Sequence, residues 1–222
     1  MFDDQVAAVF PDMIRRSVPG YADILQMLSL ITCRYAQPNS QLYDLGCSLG
    51  AASLAMAKGL TQADCRILAI DQSSAMIARA RPCLTDSGLP IVLQQADINK
   101  QPIENASVVV LNFTLQFIPP EQRLALLTRI RQGLRPGGIL VLSEKITHDD
   151  AAEQIELETL HHAYKRANGY SELEISQKRT ALDQVLIPET RCTHETRLQA
   201  AGYQRYTLWY QYCQFASWIA HT

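Results

Sequence analysis

The chain has 222 residues, of which 47% are hydrophobic and 19% charged, and its formal net charge is -2. That length suits one α/β domain with a substantial core and some elaboration. A slightly acidic, lightly charged chain argues against a broad nucleic-acid footprint, which needs clustered Lys and Arg. No run approaches the about 18 apolar residues of a membrane span.

The N-terminal stretch reads as helical. FDDQVAAVF is short and amphipathic. YADILQMLSLITCRY puts Ile24, Leu25, Leu28, Ile31 and Tyr35 on one face. Pro19 and Gly20 mark a break between the two, and Pro38-Asn39 ends the second. The opening FDDQV is abrupt, which fits a chain with further residues upstream. No basic segment feeds an apolar run there.

Strands and helices then alternate. QLYDLG (41–46), RILAID (66–71), IVLQQAD (91–97), ASVVVLNF (106–113) and ILVLSEK (139–145) read as strands. Helices are expected after Gly50, from Ser73 or Ser74 to about Leu84, and over PPEQRLALLTRIRQGL, with RPGG as punctuation before the fifth strand. Continuously apolar central strands require a parallel sheet covered on both faces. Residues 149–192 break the rhythm as a mostly helical, more polar insertion. HETRLQAAGY reads as a helix ending at Gly202, and the aromatic close (203–222) as two last strands. One domain, 1–222, with helical additions is the expected partition.

The six cysteines form no CxxC pair and no zinc-spaced Cys/His cluster. Cys47, Cys65 and Cys213 lie in or beside apolar runs, as small buried thiols do. A reducing, cytoplasmic setting is therefore expected. No metal site is expected, and His161, His162, His148, His194 and His221 are read as non-catalytic.

The chemistry concentrates at strand ends. Asp44-Leu-Gly46-Cys47-Ser48-Leu-Gly50 is a strand-to-helix turn where glycines let a ligand approach the backbone and the new helix offers free N–H groups. Asp71 ends the second strand and suits two ribose hydroxyls, or else caps the following helix. Asp97, followed by Ile98, suits an adenine amino group and ring, or is a solvated turn residue. Asn112 ends the fourth strand at the cleft mouth, where it suits a ligand's polar atoms or else caps the local backbone. The turn is neither G-x-G-x-x-G nor a phosphate-binding P-loop, so an adenosyl group without a pyrophosphate is favoured.

Together these positions resemble the Rossmann-like S-adenosylmethionine-dependent methyltransferases. That resemblance implies a seven-strand α/β sheet with helices on both faces and an antiparallel last strand. Ser48 departs from the commoner glycine. FPDMIRRSVPGY (10–21), YDLGCSLGAA (43–52), VVLNFTLQFI (109–118), LVLSEK (140–145) and KRANGYSELEISQKR (165–179) further resemble the carboxy-S-adenosyl-L-methionine synthase family over nearly the whole chain. That family takes S-adenosyl-L-methionine and prephenate and forms carboxy-S-adenosyl-L-methionine, phenylpyruvate and water. A separate tRNA carboxymethyltransferase uses the product at wobble uridine.

The resemblance implies a homodimer and a set of roles. Gly46, Cys47 and Ser48 hold the methionine portion. Asp71 and Gln72 lie at the ribose, Asp97 and Ile98 at the adenine, and Asn112 near the cofactor's centre. Tyr21 reaches in from the N-terminal helices, and Arg179 pairs with the new carboxylate or with a carboxylate of prephenate. Residues 1–37 and 149–192 are expected to act as lids, because an ylide intermediate needs a dry cavity, or else to serve as crossover packing and a dimer surface. Arg15 and Arg16 either meet prephenate or form a solvated helix end. No tight nucleic-acid binding and no membrane partner are expected. The competing readings are a conventional small-molecule methyltransferase and a non-catalytic cofactor-binding subunit.

Overall fold

The computed structural model describes residues 4–174 and 185–222. β1 (Gln41–Leu45), β2 (Arg66–Asp71), β3 (Ile91–Gln95), β4 (Ala106–Asn112) and β5 (Leu134–Thr147) are parallel. A two-residue β6 (Glu189–Thr190) pairs with the end of β5. β7 (Arg205–Tyr212) and β8 (Phe215–His221) form the closing hairpin, and β8 is antiparallel to both β5 and β7. The order is β3-β2-β1-β4-β5-β8-β7. It reverses beside β1, so a cleft opens beyond the carboxyl ends of β1 and β4.

The continuous apolar runs are explained by two cores. Side chains alternate faces along a strand, and β4 divides accordingly. Val108 and Val110 join Ile24, Leu28, Ile31, Leu42 and Met56 on one side. Val109 and Leu111 join Leu45, Leu126, Leu127, Ile130 and Trp218 on the other. The first core is closed by α2 (Tyr21–Tyr35), α3 (Ala51–Gly59) and α4 (Ser74–Thr85), the second by α5 (Pro120–Gly133) and α7 (Arg191–Ala200). Burying Ile24, Leu28 and Ile31 gives α2 about 1.5–3 kcal/mol per side chain, which anchors a helix whose left-handed Gly20 start has no side-chain cap.

α1 (Asp4–Ser17) runs through Pro11 and ends before the expected break at Pro19-Gly20. Three expectations change. RPGG lies inside β5 rather than before it: Ala106 pairs with Leu134 and Val108 with Ile139, so residues 135–138 bulge out of one continuous strand. α7 begins at Arg191, capped by the Thr190 hydroxyl, so 149–192 ends within its first turn. Cys213 is only half-buried, at a φ of 48° in the β7–β8 turn, whereas Cys47 and Cys65 are buried as expected. α6 (Ala151–Ala167) opens the 149–192 stretch, capped by Asp150.

Candidate active site

The turn after β1 is pinned to β2. The N–H groups of Gly46 and Cys47 both donate to the Ile70 carbonyl, at 2.8 and 2.9 Å. Gly46 has φ +82°, and a Cβ there would stand 2.4 Å from Thr114 Cγ2. Conformation and space therefore both demand glycine. Ser48 takes a φ of 50° without being glycine. Beneath the turn, Asp44 is fully buried and accepts from the Ser53 hydroxyl of α3 at 2.6 Å. Burial pushes its pKa up to about 6, against the pull of Ser53.

Asp71 resolves part of its ambiguity. Ser73 is the cap of α4, accepting from the Met76 N–H at 3.2 Å. Asp71 braces the turns instead: Oδ2 accepts from the Ser48 N–H at 2.9 Å and Oδ1 from the Ser73 N–H at 2.8 Å. Burial raises its pKa and these donors oppose the rise. Each oxygen keeps acceptor capacity for another donor. Gln72 is exposed beside it.

Asp97 Oδ1 accepts from the Asn99 N–H at 2.9 Å, a local turn bond. The Ile98 side chain is buried in the second core, and its carbonyl accepts from Arg129 Nη2 at 2.7 Å. Asn112 Oδ1 is buried with no hydrogen-bond partner among the described residues. An orphaned buried acceptor is costly unless a donor arrives, which suits a ligand group at this strand end. Tyr21, the first residue of α2, lies 6.5 Å ring to ring from Phe113. Burial foremost, and then the Asp44 charge, push its hydroxyl pKa up. Tyr21 and the β1 and β4 turns thus converge. Arg179 lies outside the described residues.

Sequence reasoning missed the groups that hold the β4 turn. Glu144, fully buried on β5, accepts from the Leu115 N–H at 2.8 Å and the Gln116 N–H at 2.9 Å. Burial pushes its pKa up to about 8, while the two N–H donors and Arg123 pull it down. Arg123 of α5 is fully buried. It donates to the carbonyls of Ile118 at 2.8 Å, Gln116 at 3.3 Å and Ile187 at 2.9 Å, and pairs with Glu189, which Arg197 also grips at 2.7 and 2.5 Å. A signal existed. Arg123 precedes Leu126, Leu127 and Ile130 at helical spacing, on the buried face.

The Arg16 side chain is engaged within the protein. It donates to the carbonyls of Asn168 at 2.8 Å and Gly169 at 2.5 Å, lies 4.2 Å over the Tyr170 ring, and bonds Asp12 at 2.9 Å. It is a tertiary cap for the end of α6. Arg15 is the exposed one, with Asp12 at 3.4 Å. His161, read as part of a polar helix, is in fact buried and donates to the Ser17 carbonyl at 2.8 Å. His194 is buried against Trp218, with ring centroids 5.4 Å apart. Among the described residues no group of three metal-ligating side chains forms, and no helix is long and apolar enough to cross a membrane.

A methyltransferase-domain model matches residues 42–138, which contain the pinned turn and Asp71, Asp97 and Asn112. The carboxy-S-adenosyl-L-methionine synthase of Geobacter metallireducens is 59% identical over 222 residues, and that of Trichlorobacter lovleyi 60%; each alignment covers 99% of this chain and 91% of the relative. The chain belongs to the carboxy-S-adenosyl-L-methionine synthase family. The fold of this synthase family member is shared more widely. A candidate O-methyltransferase of Nostoc punctiforme superposes with a TM-score of 0.69 at 14% identity, covering 99% of this chain and 60% of that one. A candidate S-adenosyl-L-methionine-dependent methyltransferase of Methanococcus maripaludis gives 0.64 at 23% identity, covering 100% and 94%. Those two likenesses establish the α/β sheet with its antiparallel last strand.

Proposed function

We propose that the protein is an enzyme that converts S-adenosyl-L-methionine and prephenate to carboxy-S-adenosyl-L-methionine, phenylpyruvate and water. The observation that carries this is near-full-length identity of 59–60% to carboxy-S-adenosyl-L-methionine synthases, supported by an intact strand-to-helix turn at Gly46. The methionine portion lies over Gly46, Cys47 and Ser48. Asp71 and Gln72 take the ribose, Asp97 and the main chain at Ile98 the adenine, and Tyr21 and Asn112 the cofactor's centre. Arg179 meets the new carboxylate, for which a guanidinium fork is the fitting partner.

The reaction balances without a protein base. Prephenate loses carbon dioxide and its ring hydroxyl as the ring becomes aromatic. The departing hydroxide takes a proton from the sulfonium methyl and leaves as water. The resulting ylide carbon attacks the carbon dioxide and forms the new carbon–carbon bond. Water would quench the ylide, so the site must be dry. Residues 1–37 and 149–192 act as its lids. The protein works as a homodimer and hands its product to a tRNA carboxymethyltransferase without binding tRNA tightly itself.

The test is incubation with S-adenosyl-L-methionine and prephenate, followed by mass spectrometry. The cofactor gains the mass of one carbon dioxide, and phenylpyruvate accumulates in equal amount. A demethylated cofactor would point to a conventional methyltransferase. An unaltered, bound cofactor would point to a non-catalytic subunit.

A further inference from the structure

The contacts proposed above place the cofactor but give prephenate no seat. One cluster unused so far fits its chemistry. Along β5, Ile139 and Val141 face the first core, so Lys145 lies on that same face. The register sets Lys145 opposite Phe215. The buried Phe215 ring meets Phe113 edge-on at 5.9 Å, and Phe113 meets Tyr21 at 6.5 Å. Phe215 also meets His161 edge-on at 5.0 Å. Four rings therefore run from the cofactor turn to α6. At the far end Lys165 follows His161 by one helical turn, buried on the same face.

We infer that this aromatic wall and the two lysines form the prephenate subsite, with the ring against Phe113 and Phe215 and the carboxylates toward Lys145 and Lys165. The inference rests on the activity proposed above. Prephenate is a dianion, and each ammonium is a fitting partner for one of its carboxylates. An ammonium carries three donors, so each lysine keeps its protein contacts and still serves a carboxylate. Phe113 and Phe215 supply a water-excluding surface beside the sulfonium. His161 does not compete for the substrate's charge. Burial first, and then Lys165, Lys145 and His162, hold it neutral with its pKa lowered to about 3, while it donates to Ser17. Arg16, the nearest rival cation in sequence terms, is committed to the end of α6.

The experiment measures prephenate turnover and S-adenosyl-L-methionine affinity for the wild type, K145M, K165M, K145R and K165R, with thermal melts for each. We expect the Met variants to raise the KM for prephenate about tenfold or more while cofactor Kd stays within about twofold, and the Arg variants to recover most of the loss. If K165M fails to fold, K145M, whose side chain is half-buried, carries the test. Unchanged prephenate KM, or cofactor affinity falling as far as prephenate affinity, overturns the assignment. A wild type that leaves prephenate untouched overturns the activity itself. A wild type that consumes prephenate alongside Met variants of normal KM overturns the lysine subsite alone.

Discussion

The turns after β1 and β4 frame the same cleft and are fastened in different ways. The β1 turn hangs on Asp71, whose two oxygens take the Ser48 and Ser73 N–H groups while standing partly open to the cleft. The β4 turn hangs on Glu144 and Arg123, both sealed from solvent. A ligand that reaches Asp71 shares its acceptor with the turn and therefore adjusts it. No ligand competes for Glu144. One turn is built to respond and the other to hold, and the two kinds of variant should separate along that line.

The largest effect is expected at the holding turn. R123M takes the Arg123 donors from the carbonyls of Ile118 and Ile187 and leaves Glu189 with Arg197 as its remaining arginine partner. It should lower unfolding free energy by about 2–5 kcal/mol, since two buried carbonyls lose a donor and a buried ion pair is broken, while the folded fraction binds S-adenosyl-L-methionine nearly as before. Denaturant melts with paired calorimetry check this, and a binding loss without a stability loss would invert the comparison. G46A acts on the responding turn. Its Cβ meets Thr114 at a φ of +82°, and cofactor affinity should fall by more than about a hundredfold, read by the same calorimetry.

E144Q should be intermediate, costing about 1–3 kcal/mol because an NH2 group replaces an acceptor for one buried N–H. It also carries a pH signature. The pKa of Glu144 is raised from 4.5 to about 8, so the folded state holds its proton more tightly than the unfolded one. Stability is greatest at low pH on this account and declines as pH rises from about 4.5 to about 8. Asp44, raised to about 6, adds to the lower half of that window. The slope between pH 6 and 8 should flatten in E144Q, and an equal slope in both proteins would remove Glu144 as its source. S48G should be smallest. Relief of a left-handed serine is offset by greater unfolded-chain entropy, leaving stability within about 1 kcal/mol and cofactor affinity nearly unchanged in titrations.

The same division marks what the chain's letters disclosed. VVVLN and ILAID announce themselves because both faces of a parallel strand are buried, and the turn glycines stand where strand meets helix. Asp71 and Asp97 fall at strand ends, where ligand chemistry is looked for first. Glu144 and Arg123 were harder. Glu144 is an ionisable group on a mostly apolar strand, Arg123 is one of three arginines on a largely polar helix, and the partner that explains Arg123 lies 66 residues away. β6 is two residues long and exists only through pairing with β5, so no local pattern betrays it. RPGG reads as a stop because glycine and proline interrupt ladders, yet here the ladder resumes across the bulge.

The clasp at Arg16 has a further consequence. It joins residues 152 positions apart, fixing the end of α6 to α1 through two carbonyls, a stacked tyrosine and the neighbouring His161–Ser17 bond. α1 and the end of α6 are thereby one mechanical body. A chain shortened from its amino end past Ser17 would lose that clasp while keeping Tyr21 beside Phe113. Damage at the first helix would surface as altered behaviour in the 149–192 stretch, at the opposite end of the sequence.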